Sequence, residues 1–123
     1  MKGKLLLFEF DSLPVIMAVK AAAELVDAEI VSVPRADYHK TLEVLAGLKE
    51  AAGTAGQSGV ALGGRMIVLC DLENQLELLL PALNRAGAGP DCLKAVLTEH
   101  NRKWNAVKLY GELLRERMEV TGK

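Results

Sequence analysis

Met66-Ile67-Val68-Leu69-Cys70, followed at once by Asp71 and a leucine-rich run to Gly87, is the stretch on which the fold turns. Five apolar residues, two of them β-branched, suit a strand in the middle of a sheet. Behind it, Leu72, Leu76, Leu79, Leu80, Leu83 and Ala86 recur at helical spacing. Asp71 can cap that helix, and Gly87 and Gly89 can end it. Pro81 falls inside the pattern and predicts a kink or an early stop. Residues 93–97 read as the next strand, so the stretch is a β-α-β unit.

Working outward from this unit gives the rest of the chain. A final helix follows the spacing of Trp104, Val107, Tyr110, Leu114 and Met118, with Arg115, Glu116 and Glu119 on its wet side. Toward the N-terminus, residues 51–64 hold five glycines and read as a flexible loop. Residues 4–10 are an apolar run of strand length. Ser12 can cap a helix over 13–26, with Pro14 in its first turn. That helix is almost wholly apolar, its polar stripe reduced to Lys20, Glu24 and Asp27, which predicts cover on more than one side. Residues 28–33 form a strand closed by Pro34. Tyr38, Leu42, Leu45 and Leu48 or Lys49 mark a further helix.

The order is β-α-β-α, the glycine loop, and β-α-β-α again, within one α/β domain spanning 1–123. The expected fold is α/β, a single four-stranded sheet with helical crossovers. A small doubly wound sheet is the first expectation and a ferredoxin-like variant the second. The two halves resemble each other loosely, each first strand leading to an aspartate, Asp11 or Asp71.

Composition narrows the function classes. The 123 residues are 50% hydrophobic and 25% charged, too apolar for disorder and too interrupted by charge for a membrane span. Fifteen basic against sixteen acidic residues leave a net charge of -1, which argues against a general polyanion binder. The start, Met1-Lys2-Gly3-Lys4, superficially resembles a secretory signal. Its apolar run meets Glu9 and Asp11 too soon for a signal core. Cys70 and Cys92 form no Cys-x-x-Cys pair and read as reduced, buried thiols, so the expected compartment is the cytoplasm.

If the strands were mostly parallel, their carboxyl ends would share one edge, where such sheets bind ligands. That edge would collect Asp11, Pro34, Asp71, Thr98, Glu99, His100 and Asn101. Two carboxylates, a hydroxyl and an amide could hold a metal ion or a polar ligand there. Against this, Asp11 and Asp71 are residues that helix starts favour, and Asn101 suits a turn. Asp11, Asp71 and Thr98 also mimic part of a receiver-domain phosphoacceptor site, but no fifth strand and no matching lysine follow.

Other constellations are incomplete. His39 and His100 lack partners at ligand spacing. No Gly-x-Ser-x-Gly occurs, so no catalytic residue is assigned. The glycine loop precedes a strand, whereas a phosphate cradle follows one and opens a helix. Neither a cofactor nor a metal is expected. Lys94, Arg102, Lys103 and Lys108 surround Trp104, but nearby glutamates and the missing RNA-binding signature speak against a nucleic-acid surface.

The segment Lys94-Ala95-Val96-Leu97-Thr98-Glu99-His100-Asn101-Arg102-Lys103-Trp104 resembles the domain-of-unknown-function 3783 family of small bacterial proteins. The resemblance covers roughly the second half of the chain and carries Lys94, Thr98, Asn101 and Trp104 as its signature. It implies no activity, cofactor or catalytic residue. Physically, Thr98 and Asn101 would fix the strand-to-helix turn while Trp104 anchors the helix. The expectation is a non-catalytic binding or protein-interaction module, a homodimer that needs neither nucleic acid nor membrane. The alternative is a small-ligand protein taking an anion, nucleotide or divalent metal at Asp11, Asp71, Thr98, Asn101 and Trp104.

Overall fold

Lys4–Phe8 (β1) and Met66–Cys70 (β3) lie antiparallel at the centre of a four-stranded sheet, with Leu6 opposite Val68. The computed structural model describes residues 3–48 and 61–121. Glu29–Ser32 (β2) pairs parallel with β1, and Leu93–Val96 (β4) pairs parallel with β3, giving the order β2-β1-β3-β4. Every residue of β3 is buried, as its unbroken apolar run requires of a strand covered on both faces.

Helices cover both faces. Leu13–Glu24 (α1) and Leu76–Arg85 (α3) pack on the face carrying Leu5, Leu7, Ile67 and Leu69, through Val19, Ala22 and Ala23 and through Leu79, Ala82 and Leu83. The other face carries Leu6, Phe8, Met66, Val68 and Cys70. It lies under Tyr38, the single turn Leu42–Leu45 (α2) and the start of Ala106–Thr121 (α4). Crossovers of one hand, which for such units is almost always the right, account for the sharing of one face by α1 and α3. Because β1 and β3 run oppositely and the two units grow outward in opposite directions, the same hand puts both helices on the same side.

The single four-stranded sheet with helices between its strands is as the sequence predicts. Its strand directions are mixed, so the shared carboxyl edge expected of mostly parallel strands does not exist. A ferredoxin-like order needs a foreign strand inside each β-α-β unit, and here β1 adjoins β2 and β3 adjoins β4.

Several local expectations are corrected. Helix α1 begins after Ser12, whose side chain makes no capping bond, and Asp71 does not cap α3. Instead Asp71 is left-handed (φ 58°), and a 3₁₀ turn at Glu73–Gln75 precedes the helix. Helix α3 runs through Pro81 to Arg85, so no early stop occurs. The helix expected from Tyr38 shrinks to α2 because Thr41 bridges Asn105 in extended form (ψ 154°), which forbids an earlier helical start. Helix α4 likewise starts at Ala106, where the Asn105 side chain accepts the Lys108 N–H (2.9 Å) as an N-cap. Residues 51–60 of the expected glycine loop, and Lys49 before it, lie outside the described residues.

A pseudo-two-fold axis through the Leu6–Val68 pair relates the halves more closely than the sequence suggests. Val33 N–H donates to Leu7 and Leu97 N–H to Leu69, at 3.0 and 2.9 Å. After each crossover helix, one left-handed residue (Asp27, Gly87) ends the turn and the next donates back to the last turn. Ala28 bonds Ala23 and Ala88 bonds Leu83. The residues directly after β1 and β3, Glu9 and Asp71, are both left-handed. Glu9, not Asp11, is therefore the counterpart of Asp71.

Candidate functional site

The antiparallel centre sends the carboxyl ends of β1 and β2 to one end of the sheet and those of β3 and β4 to the other. Asp11 is thus separated from Asp71, Thr98, Asn101 and Trp104. The sequence-predicted residues form no single site, and two pseudo-equivalent strand ends replace it.

The first end is closed. Glu9 has a side chain only 10% exposed, and Arg35 clamps its carboxylate, with Nη2 donating to Oε1 at 2.7 Å and Nε to both oxygens at 3.2–3.3 Å. The Leu62 N–H donates to Oε2 at 2.8 Å, and the Glu9 N–H donates to the hydroxyl of fully buried Tyr38 at 3.0 Å. Exposed Asp11 lies near enough for its charge to act on Arg35. Arg35 holds the Glu9 carboxyl below the ordinary glutamate range, against the opposing effect of burial, and burial lifts the Tyr38 hydroxyl.

A stability prediction follows from the lowered Glu9 carboxyl. Its contribution is present above the unfolded-state value, about 4.3 for glutamate, and is lost as pH falls through the lower folded value. Urea unfolding of Glu9→Gln should therefore be flatter with pH between about 5 and 3 than unfolding of the parent. Equal slopes would show that the Arg35 clamp stabilises nothing.

Among the described residues the second end holds a cleft. Asp71, Glu73, Thr98, Glu99 and Arg102 rim a cleft of about 530 Å³ over Leu48, Val96 and Leu97. Arg102 donates to Glu43 (3.0 Å) and Glu99 (3.2 Å), the former buried and the latter 91% exposed. Beneath the rim, Thr98 and Asn101 lock a turn. Asn101 Oδ1 accepts from the Thr98 N–H at 2.8 Å, its Nδ2 donates to the Val96 carbonyl at 3.0 Å, and its own N–H donates to Thr98 Oγ1 at 3.1 Å. The Asn101 side chain is thereby spent on structure. Sequence reasoning missed Glu9, Arg35 and Glu43. A carboxylate ending an apolar strand in each half was the available signal for the first.

Trp104 packs partly into the core, with His100 edge-on (5.1 Å) and the Lys108 ammonium over the ring (4.8 Å). A ring engaged in this way is no open stacking platform. Lys94 donates to the carbonyls of Gly89 and Cys92 at 3.0 and 3.2 Å, closing the loop before β4. Cys70 and Cys92 are free and buried, and burial pushes the Cys70 thiol up to about 12 and raises Cys92. Neither is an activated nucleophile. Among the described residues no group of three His, Cys, Asp or Glu could hold a metal ion, and no helix is long and apolar enough to cross a membrane.

Fold and strand ends together define a mixed-sheet α/β protein built from two related β-α-β units. Residues 65–120 match a family described as a domain of unknown function, DUF3783. This is the family the segment from Lys94 to Trp104 resembles, and the match spans the half holding the open cleft. No curated protein and no solved structure matches the chain.

Proposed function

We propose that the chain is one non-catalytic α/β domain, a binding or protein-interaction module working as a homodimer. The observation that carries this reading is the outer face of the α1/α3 layer. Leu13 and Met17, one helical turn apart on α1, are 66% and 55% exposed, and Leu25 and Leu78 are 56% and 51% exposed. Single exposed leucines are ordinary, but four large apolar side chains on one layer are what an interface presents. Exposed Lys20 and Glu24 on α1, and Glu77 and Arg85 on α3, balance in charge. A second copy therefore meets no net repulsion. The buried, protonated thiols fit a bacterial cytoplasm.

Sedimentation velocity between about 1 and 100 μM should give twice the monomer mass, a range typical of specific association. Met17→Lys should give monomers with an unchanged circular-dichroism spectrum. A parent that is monomeric across that range overturns the homodimer.

A second reading has its own support in the open cleft. It proposes a small ligand at the β3/β4 end, with Asp71 and Thr98 at its rim, Asn101 shaping the turn and Asp11 outside it. Among the described lining residues, three carboxylates against one guanidinium turn this reading away from anions and nucleotides and toward cations.

A further inference from the structure

The pseudo-two-fold axis also relates the two outer strands, β2 and β4, whose free edges bound the sheet. On β2, the N–H groups of Glu29 and Val33 donate to the Gly3 and Leu7 carbonyls, at 3.1 and 3.0 Å. Strand alternation therefore turns the backbone N–H and C=O groups of Ile30 and Ser32 outward, away from β1. Among the described residues no group bonds to them. On β4 the equivalent outward carbonyl, that of Val96, is taken by Asn101 Nδ2 at 3.0 Å. Val33 and Leu97 occupy equivalent places, so the counterpart of Asn101 is Asp37. An ionised aspartate has no donor, and Asp37 pairs instead with Lys40 at 3.2 Å. The β4 edge is thus closed at Val96, where the β2 edge is open at Ser32.

We propose that β2 pairs antiparallel with β2 of a second copy, joining the two four-stranded sheets into one. The proposal rests on the homodimer reading above and names the surface through which that dimer forms. An open edge takes an extended backbone, and this one is complementary to itself. With Val31 opposite Val31 of the second copy, Ile30 lies opposite Ser32, and each such pair exchanges both backbone bonds. The same register sets Glu29 opposite Val33, so no like charges face each other across the strands. Pro34, without an N–H, ends the pairing. Ile30 and Val31 are half-buried, one against each core, and a further strand covers what remains of them.

Helix α1 runs beside this edge. Its exposed Lys20 and Glu24 line a groove of about 430 Å³ with Glu29 and Ile30 of β2. Leu13 and Met17, both exposed, continue the same helical stripe toward the start of α1. From Glu29 to Val31 the strand rises about 6.6 Å, and the turn of helix from Lys20 to Glu24 rises about 6 Å. A two-fold axis through the Val31 pair therefore passes near Lys20, and the two α1 helices run past each other antiparallel. Each Lys20 then lies within one turn of the second copy's Glu24, which balances the two lysines at the axis. Met17, one turn before Lys20, falls within the same contact. Backbone edge, charged groups and apolar stripe thus form one continuous surface.

The test joins sedimentation velocity to amide hydrogen exchange of the ¹⁵N-labelled full chain, both at about 100 μM. The expected result is a dimer whose Ile30 and Ser32 amides exchange at least tenfold more slowly than in an unstructured chain. Glu29 and Val33, bonded toward β1 whatever the assembly, serve as protected controls. Ser32→Pro removes one outward N–H and leaves the bonds to β1 whole, so it should be monomeric with an unchanged circular-dichroism spectrum. Should proline disturb the fold, amide exchange in the parent decides alone. A monomeric parent would overturn both the homodimer and this edge. A dimeric parent with less than tenfold protection at Ile30 and Ser32, or a folded Ser32→Pro that still dimerises, would overturn the edge pairing. In that outcome the homodimer survives through the apolar helix layer and this inference does not.

Discussion

Asn101→Ala should lower the stability of the chain by about 2–3 kcal/mol, measured by urea unfolding, and the melting temperature by roughly 8–12 °C. The side chain is nearly buried and carries two hydrogen bonds, from the Thr98 N–H and to the Val96 carbonyl. Alanine leaves both backbone groups without a partner where little water reaches them, and an unmade bond there costs about 1–3 kcal/mol. Thr98→Val removes only the acceptor for the Asn101 N–H, so it should cost about 1 kcal/mol. Asn101→Asp keeps the acceptor and loses the donor, and should fall between the two. A loss below about 0.5 kcal/mol for Asn101→Ala would mean the turn is held by the backbone bonds from Arg102 to Thr98 and from Trp104 to Asn101. The prediction bears on the family signature. It assigns Thr98 and Asn101 of that signature to holding the turn that follows β4.

What the sequence made legible was whatever burial alone determines. The runs at β1 and β3, the helices α1, α3 and α4, and their order follow from apolar spacing. Strand direction was not legible, because a parallel and an antiparallel neighbour demand the same buried residues of a fully covered strand. The placing of Asp11 beside Asp71 on one edge failed through that gap, since the choice between one shared carboxyl edge and two opposite ends rests on how β1 meets β3. The match of Asp11 with Asp71 failed for a related reason. Counting to the nearest aspartate gave a false register, whereas the positions that correspond, Glu9 and Asp71, share a left-handed backbone that neither residue type announces. The short α2 was obscured in another way. Tyr38, Leu42 and Leu45 fit helical spacing, but Tyr38 is buried with its hydroxyl accepting the Glu9 N–H, and the bridge to Asn105 holds Thr41 extended just before Leu42.

The link between the halves across α2 and α4 carries the second large effect. Arg102→Ala should destabilise the chain by about 2–4 kcal/mol, although Arg102 itself lies partly in solvent. The reason is Glu43, whose side chain is 7% exposed and whose Oε1 accepts from Arg102 Nε across 59 residues of chain. Removing the guanidinium takes from a buried carboxylate the cation held at 3.0 Å, and breaking a buried pair by deleting one partner costs more than the intact pair contributes. Two consequences separate this account from simple loss of packing. Glu43→Gln in the Arg102→Ala background should recover stability, because a neutral amide no longer needs the cation, and the double-mutant cycle should give a coupling of about 1–3 kcal/mol. Raised salt should change the coupling little, since a buried pair is poorly screened. The Arg102–Glu99 contact, 91% exposed on the carboxylate side, should couple by less than about 1 kcal/mol and fade with salt. That contrast bears on the cleft. Glu43 holds Arg102 Nε at 3.0 Å, which fixes the guanidinium where it lines the cleft. If the Glu43–Arg102 cycle gave no coupling, this pair would not be what fixes Arg102 on the wall of the cleft.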